Sequence, residues 1–173
     1  MTCRRKRRRT RETGFTTIEL LIVVAILGLL SAIVVPLLLR AQQRSLKTAL
    51  AEDGNTIYSA FTRYYVDNAL FPSTSSPADR AFNLSTMSPL SSGYVANATA
   101  ITSKLKNNQF TAYDSPNVGS ADTQFWVVMT SKRNQSIVLL VANTDQYPGY
   151  EGTWYDGVFF IQGSSIVSLK AAL

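Results

Sequence analysis

From Leu20 to Leu39 the chain carries no charged residue, and seventeen of these twenty positions are Ala, Val, Ile or Leu; Gly28, Ser31 and Pro36 are the exceptions. Twenty helical residues rise about 30 Å, the hydrocarbon thickness of a bilayer. Helices of soluble cores rarely run this far without a polar face. The pattern predicts a membrane-type helix over 15–39. Beyond Leu39 the apolar residues become periodic. Leu46, Leu50, Ile57, Phe61 and Tyr64 are spaced to share one face, which extends the helix, now amphipathic, over 40–68. Asn68 and Pro72 supply its stop. Such a continuous helix would be on the order of 80 Å long. A chain of 173 residues cannot bury all of it, so lipid or other subunits must cover the first half.

Residues 71–124 read as one large αβ-loop. Pro72-Ser73-Thr74-Ser75-Ser76-Pro77, Ser88-Pro89 and Asp114-Ser115-Pro116-Asn117 are turn signals. Short helical stretches are expected near Pro77–Phe82 and Ala100–Lys106. Over 125–169 the period changes to that of strands. Phe125–Thr130 and Ser136–Ala142 flank a polar turn, and Val158–Ile161 and Ser165–Leu169 flank Gln162-Gly163-Ser164, giving two hairpins. The expected fold class is α+β: a long N-terminal helix packed on a C-terminal antiparallel sheet of about four strands, with Leu50, Ile57, Phe61 and Tyr64 facing that sheet.

Charge sharpens this picture. The chain has 17 Lys and Arg against 11 Asp and Glu. Residues 1–14 hold seven of the basic residues and one acid, which leaves ten of each sign in 15–173. A chain that is neutral outside its head does not carry the basic face of a nucleic-acid-binding domain. There is no His, and Cys3 is the single Cys. The usual zinc ligands and the Ser-His and Cys-His nucleophile systems are therefore missing. The reading is not an enzyme. Seven basic residues before the span against Arg40, Arg44 and Lys47 after it predict a cytoplasmic N-terminus and an exported remainder.

The order of the head is informative. A secretory signal places its small-residue cleavage site after the apolar stretch, whereas here Gly14 precedes it. A cut after Gly14 removes the basic head and leaves the helix on the product. Glu19, at the start of the apolar stretch, is costly in lipid and needs a partner. The new α-amine of Phe15 is one candidate, within a chain or between chains. The positive end of the helix dipole is the other, and position alone does not separate them.

A short basic leader ending in Gly14, followed by Phe15-Thr16-Thr17-Ile18-Glu19-Leu20-Leu21-Ile22-Val23-Val24-Ala25-Ile26-Leu27-Gly28, resembles the type IV prepilin family, which includes pilins and the pseudopilins of type II secretion. The resemblance extends through Ala51-Glu52-Asp53, Ile57, Ala60, Tyr64-Tyr65, Asp67-Asn68 and Phe71-Pro72, covering roughly residues 8–72. It implies removal of 1–14 by a membrane prepilin peptidase between Gly14 and Phe15, and methylation of the Phe15 amine. It also implies that Glu19 pairs with the Phe15 amine of a neighbouring subunit during assembly. Gly28 and Pro36 fall where many members carry helix-weakening residues, and in many filaments the stretch between them loses helicity. Pro removes an i→i−4 hydrogen bond and Gly lowers helix stability.

The resemblance implies a structural subunit of a pseudopilus or type IV pilus, with a slight lean to the pseudopilus from the 51–72 segment and the absent Cys pair. Its partners would be copies of itself or other pilins, the peptidase, and an inner-membrane assembly platform with a separate motor ATPase, since this chain has no P-loop. It would sit as a single-pass inner-membrane protein and then in a periplasmic or surface filament. The alternatives are a minor or tip pilin that binds a surface, cargo or DNA, and an exported enzyme on an uncleaved anchor. In the 143–157 loop, Asn143, Asp145, Glu151 and Asp156 are oxygen-bearing and glycine-flanked, as calcium requires. EF-hand spacing is absent, and a plain surface loop is preferred, with no cofactor. Tyr147, Tyr150, Trp154 and Tyr155 in this loop read either as an adhesive surface or as packing over the sheet edge.

Overall fold

A computed structural model describes residues 14–72, 93–114 and 123–172. The chain divides into two compact units, Met1–Gln42 and Gln43–Leu173. Helix α1 (Thr17–Asn68) contributes its first half to one unit and its second half to the other. In the first unit every described residue is exposed. The helix is apolar on all sides there, and it is the one helix among the described residues long and apolar enough to cross a membrane.

In the second unit the α1 face made by Leu50, Ala51, Asp53, Gly54, Ile57, Ala60 and Phe61 is buried. Tyr64, expected in this core, is half-buried and sets its ring edge-on to Tyr94 at 5.3 Å. The aromatic core is made instead by Phe61 and Phe71, each 4.6 Å from Phe125, with Tyr65 stacked on Phe71 at 4.7 Å. The helix ends as expected at Asn68. Ala69 then adopts a φ of 58° and donates its N–H to the Tyr65 carbonyl at 2.7 Å, the left-handed closure that commonly finishes a helix.

Five strands form an antiparallel meander in chain order: β1 (Ala112–Asp114), β2 (Phe125–Thr130), β3 (Val138–Thr144), β4 (Tyr155–Gln162) and β5 (Ser165–Ser168). Four correspond to the expected strands. The fifth, β1, has three residues, too few to show a period of two in sequence. The link Thr111 N–H to Val128 carbonyl at 2.8 Å leads into it. β3 begins two residues later than expected because Asn134 takes the N–H groups of Ser136 and Ile137 into the turn, each at 3.0 Å. β5 ends at Ser168, and Leu169 starts the short helix α3 (Leu169–Ala172), whose Leu169 and Ala172 turn back onto the core. Between the helix and the sheet lie α2 (Ala98–Ser103) and a 3-10 turn (Lys106–Asn108), close to the expected 100–106 stretch. The other expected stretch, 77–82, falls outside the described residues.

Alternation along the strands sends Phe125, Val127, Met129, Leu139, Val141, Val158 and Phe160 to the helix side. Burying one such aliphatic or aromatic side chain contributes about 1.5–3 kcal/mol. The opposite face carries a second cluster of Trp126, Val128, Leu140 and Ala142. Consequently β2 is buried at all six positions instead of alternating.

Candidate assembly site and distal loop

The 143–157 segment is only partly a loop. Asn143 and Asp156 lie within β3 and β4 and face each other in register. Asn143 Nδ2 donates to Asp156 Oδ1 at 3.1 Å, and the Tyr58 hydroxyl of α1 donates to the same oxygen. These two residues therefore tie the sheet to the helix, which corrects their assignment to a loop. Asp145 and Glu151 shape the turn between the strands. The Asp145 carbonyl accepts the Gly152 N–H at 2.9 Å, and Glu151 Oε1 accepts the Gly149 N–H at 2.9 Å. That backbone hydrogen bond, which favours the ionised form, holds the Glu151 carboxyl below its ordinary value. Asn143 and Asp156 thus bond each other, while the Asp145 side chain accepts from Gln146 Nε2 at 3.1 Å and Glu151 from the Gly149 N–H. Among the described residues no group of three or more His, Cys, Asp or Glu is placed to hold a metal ion.

The tyrosines of the turn pack on the outer sheet face. Ring contacts run from Trp126 to Tyr147 at 5.3 Å, Tyr147 to Tyr150 at 5.8 Å, Tyr150 to Tyr155 at 6.4 Å and Tyr155 to Phe159 at 5.5 Å. Burial in this stack pushes the Tyr147 hydroxyl pKa up. The Tyr150 hydroxyl donates to the Ser164 carbonyl. Of the four aromatic residues, Trp154 alone is exposed as a large hydrophobic surface.

The amino-terminal end has a different organisation. Gly14, Phe15 and Thr16 precede α1 in non-helical backbone, and Phe15 is 85% exposed. A peptide bond in non-helical, exposed backbone is open to a peptidase. Thr16 occupies the helix N-cap. Its N–H and its hydroxyl both donate to Glu19 Oε2 at 2.8 Å, while the Glu19 N–H reaches back to Thr16 Oγ1 at 3.4 Å. Threonine at the cap and glutamate three residues on form a capping box, which satisfies two helix-end donors reciprocally. Within one chain, then, Glu19 has a partner, and that partner is Thr16. The polar cap opens a helix surface on which Leu20, Leu21, Ile22, Val23, Ile26 and their successors are all exposed.

Gly28 and Pro36 both lie inside continuous helix. A Cβ at Gly28 would meet nothing within 4 Å, so no contact within the chain requires glycine there. One residue earlier, the Leu27 carbonyl accepts the Ser31 hydroxyl at 2.7 Å. Such back-bonding slightly destabilises a helix. Pro36 lacks the N–H that would bond four residues back. Three perturbations of the backbone ladder therefore fall within ten residues of each other.

The chain is similar to proteins named type II secretion system core protein G. With that of Pseudomonas aeruginosa it is 39% identical over 66 residues, 38% of this chain and 46% of the relative. With that of Aeromonas hydrophila the figures are 32% over 79 residues, 46% and 55%. With that of Escherichia coli they are 29% over 84 residues, 49% and 58%. The long N-terminal helix followed by an antiparallel sheet is the α+β layout expected from the sequence. The chain spans about half the length of the curated relatives it matches. No family model matches, and no solved structure matches.

The role of Thr16 has a signal in the sequence. Thr16-Thr17-Ile18-Glu19 has the spacing of a capping box ahead of an apolar run. The pairing of Asn143 with Asp156 had no such signal, because it depends on the register of β3 on β4.

Proposed function

We propose that the chain is a structural subunit of a type II secretion pseudopilus. The observation that carries this reading is a helix apolar on all sides, exposed along its whole first unit and opened by a capped glutamate. Outside lipid, such a surface must be covered by protein, and identical helices from other subunits are suited to it. The similarity to core protein G supports the pseudopilus over a surface pilus.

In this reading the membrane stores the subunit with its N-terminus in the cytoplasm and the domain after residue 39 exported. A prepilin peptidase removes 1–14 at the exposed Gly14–Phe15 bond and methylates the Phe15 amine. Glu19 then exchanges its bonds to Thr16 for the Phe15 amine of a neighbouring subunit. An ammonium is the stronger partner because the hydrogen bond is charged on both sides. The stretch from Gly28 to Pro36 is the part of the helix that gives way as subunits pack. Assembly uses an inner-membrane platform and a separate motor ATPase. No catalytic role and no cofactor are proposed.

Peptide mass spectrometry of sheared and envelope fractions tests this. The expected result is a chain beginning at N-methylated Phe15, held mainly in the envelope. A chain that retains Met1–Gly14 in every fraction would contradict it.

A further inference from the structure

Two turns of the second unit carry opposite charge, and β3 joins them. The turn of 131–137 precedes Val138, and the turn of 145–154 follows Thr144. The strand between them sets the turns about 23 Å apart. The first turn carries Lys132 and Arg133, both exposed. It lies against the segment that holds Lys104: Leu105 bridges Ser131, and the Lys132 N–H donates to the Lys104 carbonyl at 2.9 Å. Here a groove of about 480 Å³ is lined by Leu46, Ala49 and Leu50 of α1 and by Lys104, Lys132 and Arg133. Asp53, also in the groove, is already paired with Lys104 at 2.9 Å. Lys132 and Arg133 have no carboxylate of the described residues within ion-pair distance.

The second turn answers the first in sign and in chemistry. Its acids, Asp145 and Glu151, accept from neutral donors, the Gln146 side-chain amide and the Gly149 N–H. Neither has a cation of the described residues within ion-pair distance. The same turn carries Trp154, which is 55% exposed. Tyr147, Tyr150 and Tyr155 stack on one another and on Phe159, and Trp154 takes no part in that stack. Two free cations beside an apolar floor therefore stand at one end of β3, and two acids beside an exposed indole at the other. At this separation a copy cannot bring its own turn into its own groove.

We propose that the 145–154 turn of one copy docks in the groove of a second copy, Trp154 covering Leu46 and Ala49 while Asp145 and Glu151 pair with Lys132 and Arg133. Charge complementarity selects this occupant, and the indole strengthens the choice. A phosphate-bearing partner would meet the cations and leave the apolar floor bare, whereas the turn offers a match to both. An exposed tryptophan is the kind of side chain that anchors protein interfaces when a pocket receives it. The groove lies within the range of about 300–1,000 Å³ typical of pockets that enclose a ligand, and a guanidinium beside an indole face adds attraction. Because turn and groove are different surfaces, the contact is heterologous and repeats from copy to copy. The proposal rests on the filament reading in one respect: copies gathered by their apolar helices hold turn and groove at high effective concentration. Complementary charge then decides which ends meet.

Full chains grown on ordinary and on heavy nitrogen are mixed in detergent micelles and treated with a carbodiimide, which joins a lysine amine to a carboxylate in direct contact. The expected product is a mixed-isotope peptide linking Lys132 to Asp145 or Glu151. Lys104 linked to Asp53 within one isotope is the internal control, from a pair at 2.9 Å. The mixed product should fall severalfold in about 0.5 M salt, and severalfold in Trp154→Ala. Chains with Lys132→Glu and Arg133→Glu, mixed with chains bearing Asp145→Lys and Glu151→Lys, should regain a crosslink of inverted polarity between the same positions. Lys132 linked only within one isotope, or across isotopes only to other acids, overturns the proposal. The chain is used uncut, so the result does not depend on removal of 1–14. Filaments of methylated chains that lack this crosslink would overturn the contact and leave the filament reading in place. The comparison at low and high salt uses the unaltered chain and stands whether or not a variant folds.

Discussion

Gly54 of α1 lies directly against Leu139 of β3: a Cβ built on the glycine would stand 2.4 Å from Leu139 Cδ2 and 3.0 Å from Val158 Cγ1. The helix and sheet approach each other closely at this point because one side chain is missing. Leu139 is fully buried, so its methyl groups have little room to move. In Gly54→Ala the gain in helix propensity is about 1 kcal/mol, while overpacking costs about 1–3 kcal/mol. A net loss of stability is expected in urea unfolding followed in micelles. Leu139→Val in the same chain should relieve part of it, seen as a favourable coupling in the double-mutant cycle. A more stable Gly54→Ala would contradict the close approach.

The Asp53–Lys104 pair is asymmetric. Asp53 is 8% exposed and both of its oxygens accept from Lys104 Nζ at 2.9 Å, while the Lys104 side chain is half-exposed. Lys104→Ala strands a carboxylate that water reaches poorly, a loss of about 1–3 kcal/mol. Asp53→Ala leaves a lysine that can turn into solvent, and its loss should be smaller. Unfolding of the two variants side by side checks the order. Equal losses would mean that the carboxylate is already hydrated.

Glu151 makes the distal turn sensitive to acid. Its folded pKa is depressed by the Gly149 N–H, so the contact is fully present above the ordinary carboxylate pKa and is lost as pH falls through the lowered value. The Gly149 amide resonance should shift with a midpoint below that of an unperturbed glutamate. Glu151→Gln should abolish the titration. A midpoint at or above the ordinary value would contradict the hydrogen bond.

The parts of this fold that are local were legible in the sequence. The apolar run of Leu20–Leu39 and the stop at Asn68 are written in consecutive residues, as are the two hairpins. What escaped depends on residues far apart. The three-residue β1 exists because an edge of β2 was open to it. Tyr64 was placed in the core by spacing alone, yet Phe71, beyond the helix, fills the position against Phe125. Asn143 and Asp156 looked like loop ligands because sequence does not give the register that pairs them across two strands. At the amino terminus the motif singled out Gly14, Phe15 and Glu19. The sequence left open whether Glu19 answers to its own helix or to another chain, and in the single chain it answers to Thr16.

That arrangement allows the central claim to be tested with one substitution. Glutamine at a capping-box position keeps the hydrogen bonds of the box and loses the charge. Glu19→Gln should therefore leave the helix start and membrane insertion intact, but remove the carboxylate that would meet a neighbour's Phe15 amine. The measurement is the amount of this chain recovered in assembled filaments, with the membrane-inserted pool measured beside it. The account predicts a normal pool and loss of most filament incorporation. Normal incorporation of Glu19→Gln would contradict it, and would leave Glu19 as a helix cap and nothing more.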